Sequence, residues 1–206
     1  MKIAILGSYS TQILAKSLMQ INSSLEVYEA DYSQIDYEII NTDSGLYKFK
    51  PGFIIIHETS LSFKKKYYAS SISDAKYYLK NISRLENLIF KLNENFEDVK
   101  IIYPTLDINN EMTFGNFFFK VPESIDAQLH YYNYALIKLA VKINNLHLID
   151  INNLIFHNYE IRDPRLVISA DLHFTILFTK KIAMAINKII NVSAGKFIKC
   201  MILVVI

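Results

Sequence analysis

The chain has 206 residues, 51% hydrophobic and 20% charged, with 22 basic and 20 acidic side chains and a net charge of +2. That length and balance fit one globular domain with a full core, and they offer no basic field for nucleic acid or an anionic membrane. Cys200 is the only cysteine, which excludes an intrachain disulfide and makes a reducing, cytoplasmic setting the expectation. No window approaches the roughly 18 apolar residues of a membrane helix, and Gly7 and its polar neighbours end the first apolar run too early for a secretory signal.

In chain order, Ile3 to Leu6, bounded by Lys2 and Gly7, form a short apolar run that predicts a buried strand. The hydroxyls of Ser8, Ser10 and Thr11 follow it, and then Ile13, Leu14, Leu18 and Ile21 recur at helical spacing. A second strand is expected over Leu25 to Ala30 and a partly helical stretch over Asp36 to Tyr47, with Gly45 near its end. Pro51-Gly52 introduces Phe53 to Glu58, whose isoleucine run is the strongest strand signal. One long helix is predicted over Lys64 to Phe96, then a strand over Val99 to Tyr103 closed by Pro104. A loop covers Asp107 to Lys120. After Pro122 a helix carries the stripe Ile125, Leu129, Tyr132, Leu136, Leu139, Ala140 and Ile143. Leu146 to Ile151 predicts a fifth strand, Arg165 to Ser169 an extended segment after the turn at Asp163-Pro164, and Phe178 to Ile189 a final amphipathic helix. Strands alternating with such helices call for an α/β fold, a doubly wound and mostly parallel five-stranded sheet covered on both faces.

Two polar anchors stand far apart in the sequence. One is the hydroxyl cluster after the first strand, with Ser8 the first candidate nucleophile and Ser10 the second. The other is Asp171-Leu172-His173, just before the last helix. Ester hydrolysis or acyl transfer on a serine needs a histidine base and a carboxylate to orient it, and open parallel sheets gather their site at the carboxyl ends of the strands. The plainer readings are helix capping by the hydroxyls and a structural Asp–His hydrogen bond. Glu58 and His57 end the central strand, either in a site or at the surface. Gly115 and Asn116 offer an amide and a carboxamide to an oxyanion, or simply a turn. His130 and His147 read as packing or surface residues. No metal pattern surrounds His157, no glycine-rich phosphate loop follows Gly7, and no cofactor or metal is expected.

Several motifs carry a family resemblance. Ile-Leu-Gly-Ser-Tyr-Ser-Thr-Gln at 5–12, Val-Tyr-Glu-Ala-Asp-Tyr-Ser-Gln at 27–34 and Asp-Ser-Gly-Leu-Tyr-Lys-Phe-Lys-Pro at 43–51 resemble the amino-terminal domain of FkbH-like proteins. So do Phe-Gly-Asn-Phe at 114–117, Asp-Leu-His-Phe-Thr at 171–175 and Gly-Lys-Phe-Ile-Lys-Cys-Met-Ile-Leu at 195–203. The resemblance implies an SGNH-hydrolase-like or acyltransferase-like fold, flavodoxin-like in its winding, joined to a haloacid-dehalogenase (HAD) phosphatase domain. Polyketide-pathway members of that family make glyceryl thioesters on acyl carrier proteins, and relatives occur in bacterial surface-polysaccharide biosynthesis. The implied partners are therefore an acyl carrier protein or a small acyl substrate, and the phosphatase domain.

Three blocks depart from the SGNH pattern. Its Gly-Asp-Ser is Gly7-Ser8-Tyr9 here, the Asn after the central strand is replaced by His57-Glu58-Thr59, and Asp-x-x-His is shortened to Asp171-Leu172-His173. The expected organisation is an α/β domain over 1–194 and the start of a truncated phosphatase domain over 195–206. There Val204 stands where the family's phosphatase nucleophile would be, so no phosphatase activity is expected. An acyl-transfer domain using Ser8, His173 and Asp171 and a catalytically degenerate docking module are the two functional expectations.

Overall fold

The computed structural model describes residues 1–70, 76–108, 115–155 and 161–195, with the side chain of Asn116 excluded. Five strands, β1 (Lys2–Gly7), β2 (Glu26–Glu29), β3 (Phe53–His57), β4 (Lys100–Pro104) and β5 (Leu146–Ile149), form one all-parallel sheet in the order β2-β1-β3-β4-β5. This is the flavodoxin-like winding, in which the connections leave β1 toward opposite edges and open a crevice at the carboxyl ends of β1 and β3.

Alternation along β1 explains the two layers. Ile3 and Ile5 point into the core shared with α1 (Gln12–Ile21) and α9 (Ile176–Ser193), whereas Ala4 and Leu6 point into the core shared with α5 (Tyr77–Asn95) and α6 (Ile125–Lys142). All four are fully buried. Each large side chain so buried contributes about 1.5–3 kcal/mol. Helix α9 lies along α1, and the Asn22 amide side chain reaches Asn187 between them.

Local chemistry moved several boundaries from where the sequence pattern put them. The stretch after β2 forms two short helices, α2 (Ile35–Ile40) and α3 (Gly45–Phe49). Gly45 starts the second helix instead of ending the first, because Ser44 and Glu38 fasten the turn: Ser44 Oγ donates to the Glu38 carbonyl and the Leu46 amide to Glu38 Oε2. Where one long helix was expected there are two, α4 (Ser60–Ala69) and α5, the first begun by the side-chain cap of Thr59. Beyond β5 the chain turns into α7 (Ile151–Ile155). The segment expected to be extended is instead helix α8 (Pro164–Ala170): Asp163 caps it through the Arg165 amide and Pro164 fits its first turn, outweighing the β-branched run within it. Gly115–Lys120 forms a 3-10 turn. His157 and the residues after 195 lie outside the described residues.

Candidate active site

The crevice at the carboxyl ends of β1 and β3 holds a buried polar line drawn from the first loop, the loop after β3 and the segment before α9. His173, fully buried, bridges a hydroxyl and a carboxylate. Its Nδ1 lies 2.6 Å from Thr59 Oγ1 and its Nε2 lies 3.2 Å from Asp171 Oδ1. A carboxylate only accepts, so Nε2 carries the proton and the Thr59 hydroxyl donates to Nδ1. Burial lowers the His173 pKa, and Lys65 and Arg162 add to this, against the opposing pull of Asp171. The neutral ring is the form a base requires.

Thr59 comes to this position as the N-cap of α4. It follows β3 in an extended conformation, and its Oγ1 accepts from the Ser62 amide at 3.3 Å. Ser8, the first residue after β1, extends the β1–β3 ladder by donating its amide to the His57 carbonyl. Its Oγ donates to Ser62 Oγ at 2.8 Å, and Ser62 Oγ stands 3.3 Å from Thr59 Oγ1. Among the described residues no hydrogen bond joins Ser8 to His173; two hydroxyls intervene. Ser10, half-buried, gives its amide to the Asp171 carbonyl at 3.3 Å and lines a pocket of about 190 Å³ with Tyr9, Thr11 and Glu29. That contact ties the first loop to the last, while Asp171 itself sits in a left-handed turn at φ 48°.

Tyr9 fills the core of the crevice. Its ring lies parallel to His173, and its hydroxyl is 2.9 Å from His57 Nδ1. Burial, with a smaller contribution from the neighbouring His173 ring, drops the His57 pKa to about 3. On the far side Asp107, buried in the loop that follows β4, pairs with Arg162. Arg162 also donates to Ser60 Oγ at 2.9 Å and lies over the Phe174 ring.

The remaining candidates take separate places. Glu58 receives two bonds from Arg84 and one each from Lys66 and Tyr103, so its carboxylate is fully engaged within an ion cluster. Gly115 is exposed at φ 50° at the start of the 3-10 turn, and the Asn116 side chain lies outside the described residues. Sequence reasoning singled out Asp171 and His173 but missed Thr59, Ser62, Tyr9, Asp107 and Arg162. A hydroxyl residue directly after a strand and before a helical segment is an N-cap signal, and it was present at Thr59. Among the described residues no group of three His, Cys, Asp or Glu side chains is placed to hold a metal ion, and no helix is long and apolar enough to cross a membrane.

The family model for the FkbH N-terminal domain matches residues 2–191. The chain belongs to that family. Among solved structures, the N-terminal part of the protein BF1531 from Bacteroides fragilis, which contains a phosphatase domain complexed with Mg, superposes with a TM-score of 0.86 at 23% identity. The match covers 97% of this chain and 54% of that one, so the FkbH-type chain described here spans about half of the neighbour's length. The acetyl xylan esterase AlAXEase (TM-score 0.62, 15% identity, 92% of this chain and 100% of that one) shares the fold. So does a protein of the G-D-S-L family from Desulfitobacterium hafniense DCB-2 (TM-score 0.61, 12% identity, 91% and 98%). No curated protein matches the sequence. The fold is thus the SGNH type that these hydrolases share.

Proposed function

We propose that this FkbH N-terminal domain carries an acyl-transfer or ester-hydrolysing centre in which Asp171 orients His173 and His173 takes a proton from a crevice hydroxyl. The carrying observation is the hydroxyl–imidazole–carboxylate line, at 2.6 and 3.2 Å, with the imidazole neutral. The substrate in this reading is a small acyl group, glyceryl-like in size, delivered as a thioester on an acyl carrier protein. Its setting is bacterial polyketide or surface-polysaccharide biosynthesis in the cytoplasm, with a phosphatase domain as neighbour. The family membership supports that setting. The test is turnover of a short-chain acyl ester and an acyl thioester by wild type and by His173→Gln and Asp171→Asn. Loss of about 100-fold or more in both variants is expected. Equal rates in all three proteins contradict the reading.

A second reading is favoured by one observation, the closure of the crevice. Ser8 is 5% exposed, Tyr9 3%, Thr59 1% and His173 0%. In that case the polar line holds the sheet's carboxyl end together and the domain docks a carrier or the phosphatase domain without chemistry of its own. Carrier binding unchanged by His173→Gln, with no turnover in wild type, is its signature.

A further inference from the structure

We infer that the hydroxyl activated by His173 is that of Thr59, and that Ser8 and Ser62 form a hydrogen-bonded rear support for it. The inference rests on the acyl-transfer reading above and names its nucleophile.

The geometry separates the hydroxyls. Thr59 Oγ1 is 2.6 Å from the imidazole nitrogen opposite the one that faces Asp171, so among the described hydroxyls it alone completes the line that a base-activated nucleophile requires. Ser8 Oγ instead donates to Ser62 Oγ, which contacts Thr59 Oγ1 in turn. The order is Ser8, Ser62, Thr59, His173, Asp171.

The backbone setting fits the same role. Thr59 sits between the end of β3 and the start of the ten-residue helix α4, on a strand–turn–helix step at the centre of the sheet. Its oxygen accepts from the Ser62 amide, and the positive end of the helix dipole lies behind it, so negative charge developing there is favoured. Tyr9 packs flat on His173 and fixes the plane of the imidazole against the hydroxyl.

The step balances without a further reagent. Thr59 Oγ1 attacks the carbonyl carbon of an ester or thioester as its proton passes to His173 Nδ1. The tetrahedral adduct then collapses, breaking the bond to the leaving alkoxide or thiolate, which takes the proton from Nδ1. Attack on the acyl-threonine by water or an acceptor hydroxyl, with His173 again the base, frees Thr59. Because Thr59 is buried, the crevice must open for the acyl group to enter, so acylation is slow beside an open serine esterase.

The experiment incubates the protein with a fluorophosphonate and maps the adduct by peptide mass spectrometry. Parallel reactions use Thr59→Ser, Thr59→Val and Ser8→Ala, each checked for folding by circular dichroism. The expected result is an adduct on residue 59 in wild type, in Thr59→Ser and in Ser8→Ala. The labelling rate of Thr59→Val should fall by about 100-fold or more. An adduct on Ser8, Ser10 or Ser62 of the wild type overturns the assignment to Thr59 while leaving the acyl-transfer reading standing. Folded wild type that takes no adduct and turns over no ester overturns both. Should Thr59→Val fail to fold, the mapped site in wild type and Thr59→Ser still decides.

Discussion

The Tyr9 ring lies 5.1 Å from that of His173 and within 10° of parallel, so one face of the imidazole is covered by a phenol. Among the described residues the same phenol is the one hydrogen-bond partner of the buried His57 ring, at Nδ1, and His57 Nε2 has none. Tyr9→Phe keeps the stack and removes the bond, leaving both nitrogens of His57 unsatisfied, so we expect a loss of about 1–3 kcal/mol. Tyr9→Ala removes the ring as well and should cost about 3–5 kcal/mol. Urea unfolding of the two variants measures both, and a Tyr9→Phe midpoint equal to wild type contradicts the account.

Stability should fall on mild acidification. His57 has a folded pKa of about 3 against an ordinary 6.5, and His173 is shifted the same way by its burial. Above about pH 6.5 both rings are neutral in the folded and unfolded chain, and their contribution is complete. As the pH drops toward 3 the unfolded chain takes up these protons and the folded one does not, so unfolding is progressively favoured. Melting temperatures measured from pH 8 to pH 4 should decline, and His57→Gln should flatten the slope. A flat wild-type profile across that window contradicts the assignment.

Arg84 holds together two carboxylates. It makes bonds of 3.1 and 3.2 Å to Glu58 and of 2.6 and 3.0 Å to Asp36. Burial raises the Glu58 pKa, but Arg84 and Lys66 outweigh it and hold the carboxyl below its usual range. Arg84→Met leaves the buried Glu58 charge with Lys66 and Tyr103 alone and should destabilise by about 3–5 kcal/mol. Arg84→Lys should recover only part of this, since one ammonium cannot match the guanidinium fork. Chemical denaturation of the three proteins reads the order directly.

Gly45 is fixed by its neighbour Tyr28. A Cβ there would stand 2.2 Å from the Tyr28 hydroxyl and under 3 Å from two ring carbons, so Gly45→Ala forces the phenol aside at a cost of about 1–3 kcal/mol. Most of that cost should vanish in a Tyr28→Ala background, because the two positions share one contact. Additive effects in the double variant would show that the strain lies elsewhere.

The centre of the sheet was legible because Ile3 to Leu6, Phe53 to Ile56 and Ile101 to Tyr103 are unbroken apolar runs, as strands buried on both faces must be. The error at Arg165 to Ser169 has a physical source. Leu166-Val167-Ile168 has the β-branched look of a strand, but no residue of α8 is buried, so its helix follows from the Asp163 cap and Pro164 and not from packing. The Asp171–His173 pair could be read because its two members are neighbours in sequence. Thr59 lies 114 positions from His173, and its pairing depends on the order of the strands, which no local pattern encodes. Arg162 is likewise brought to Asp107 from 55 positions away. The Asp-Ser-Gly-Leu-Tyr segment, read as a family mark, turns out to build the fold: Ser44 and Gly45 fasten α3 to Glu38 and Tyr28.

The pairing of α1 with α9 sets a timetable for synthesis. Leu14 and Leu18 leave the ribosome long before Ile182 and Ile186 of their covering helix; Asn22 and Asn187, bonded between the two helices, are 165 positions apart. Throughout elongation β1 and α1 therefore carry an apolar face that nothing yet synthesised can cover, although β3, α5 and α6 have already closed the opposite side. Closure that joins helices so far apart in sequence is slow, and the uncovered intermediate is the species prone to aggregate. Arrest of translation before residue 176 should therefore give a chaperone-bound, protease-sensitive product, and a protease-resistant arrested chain contradicts the account.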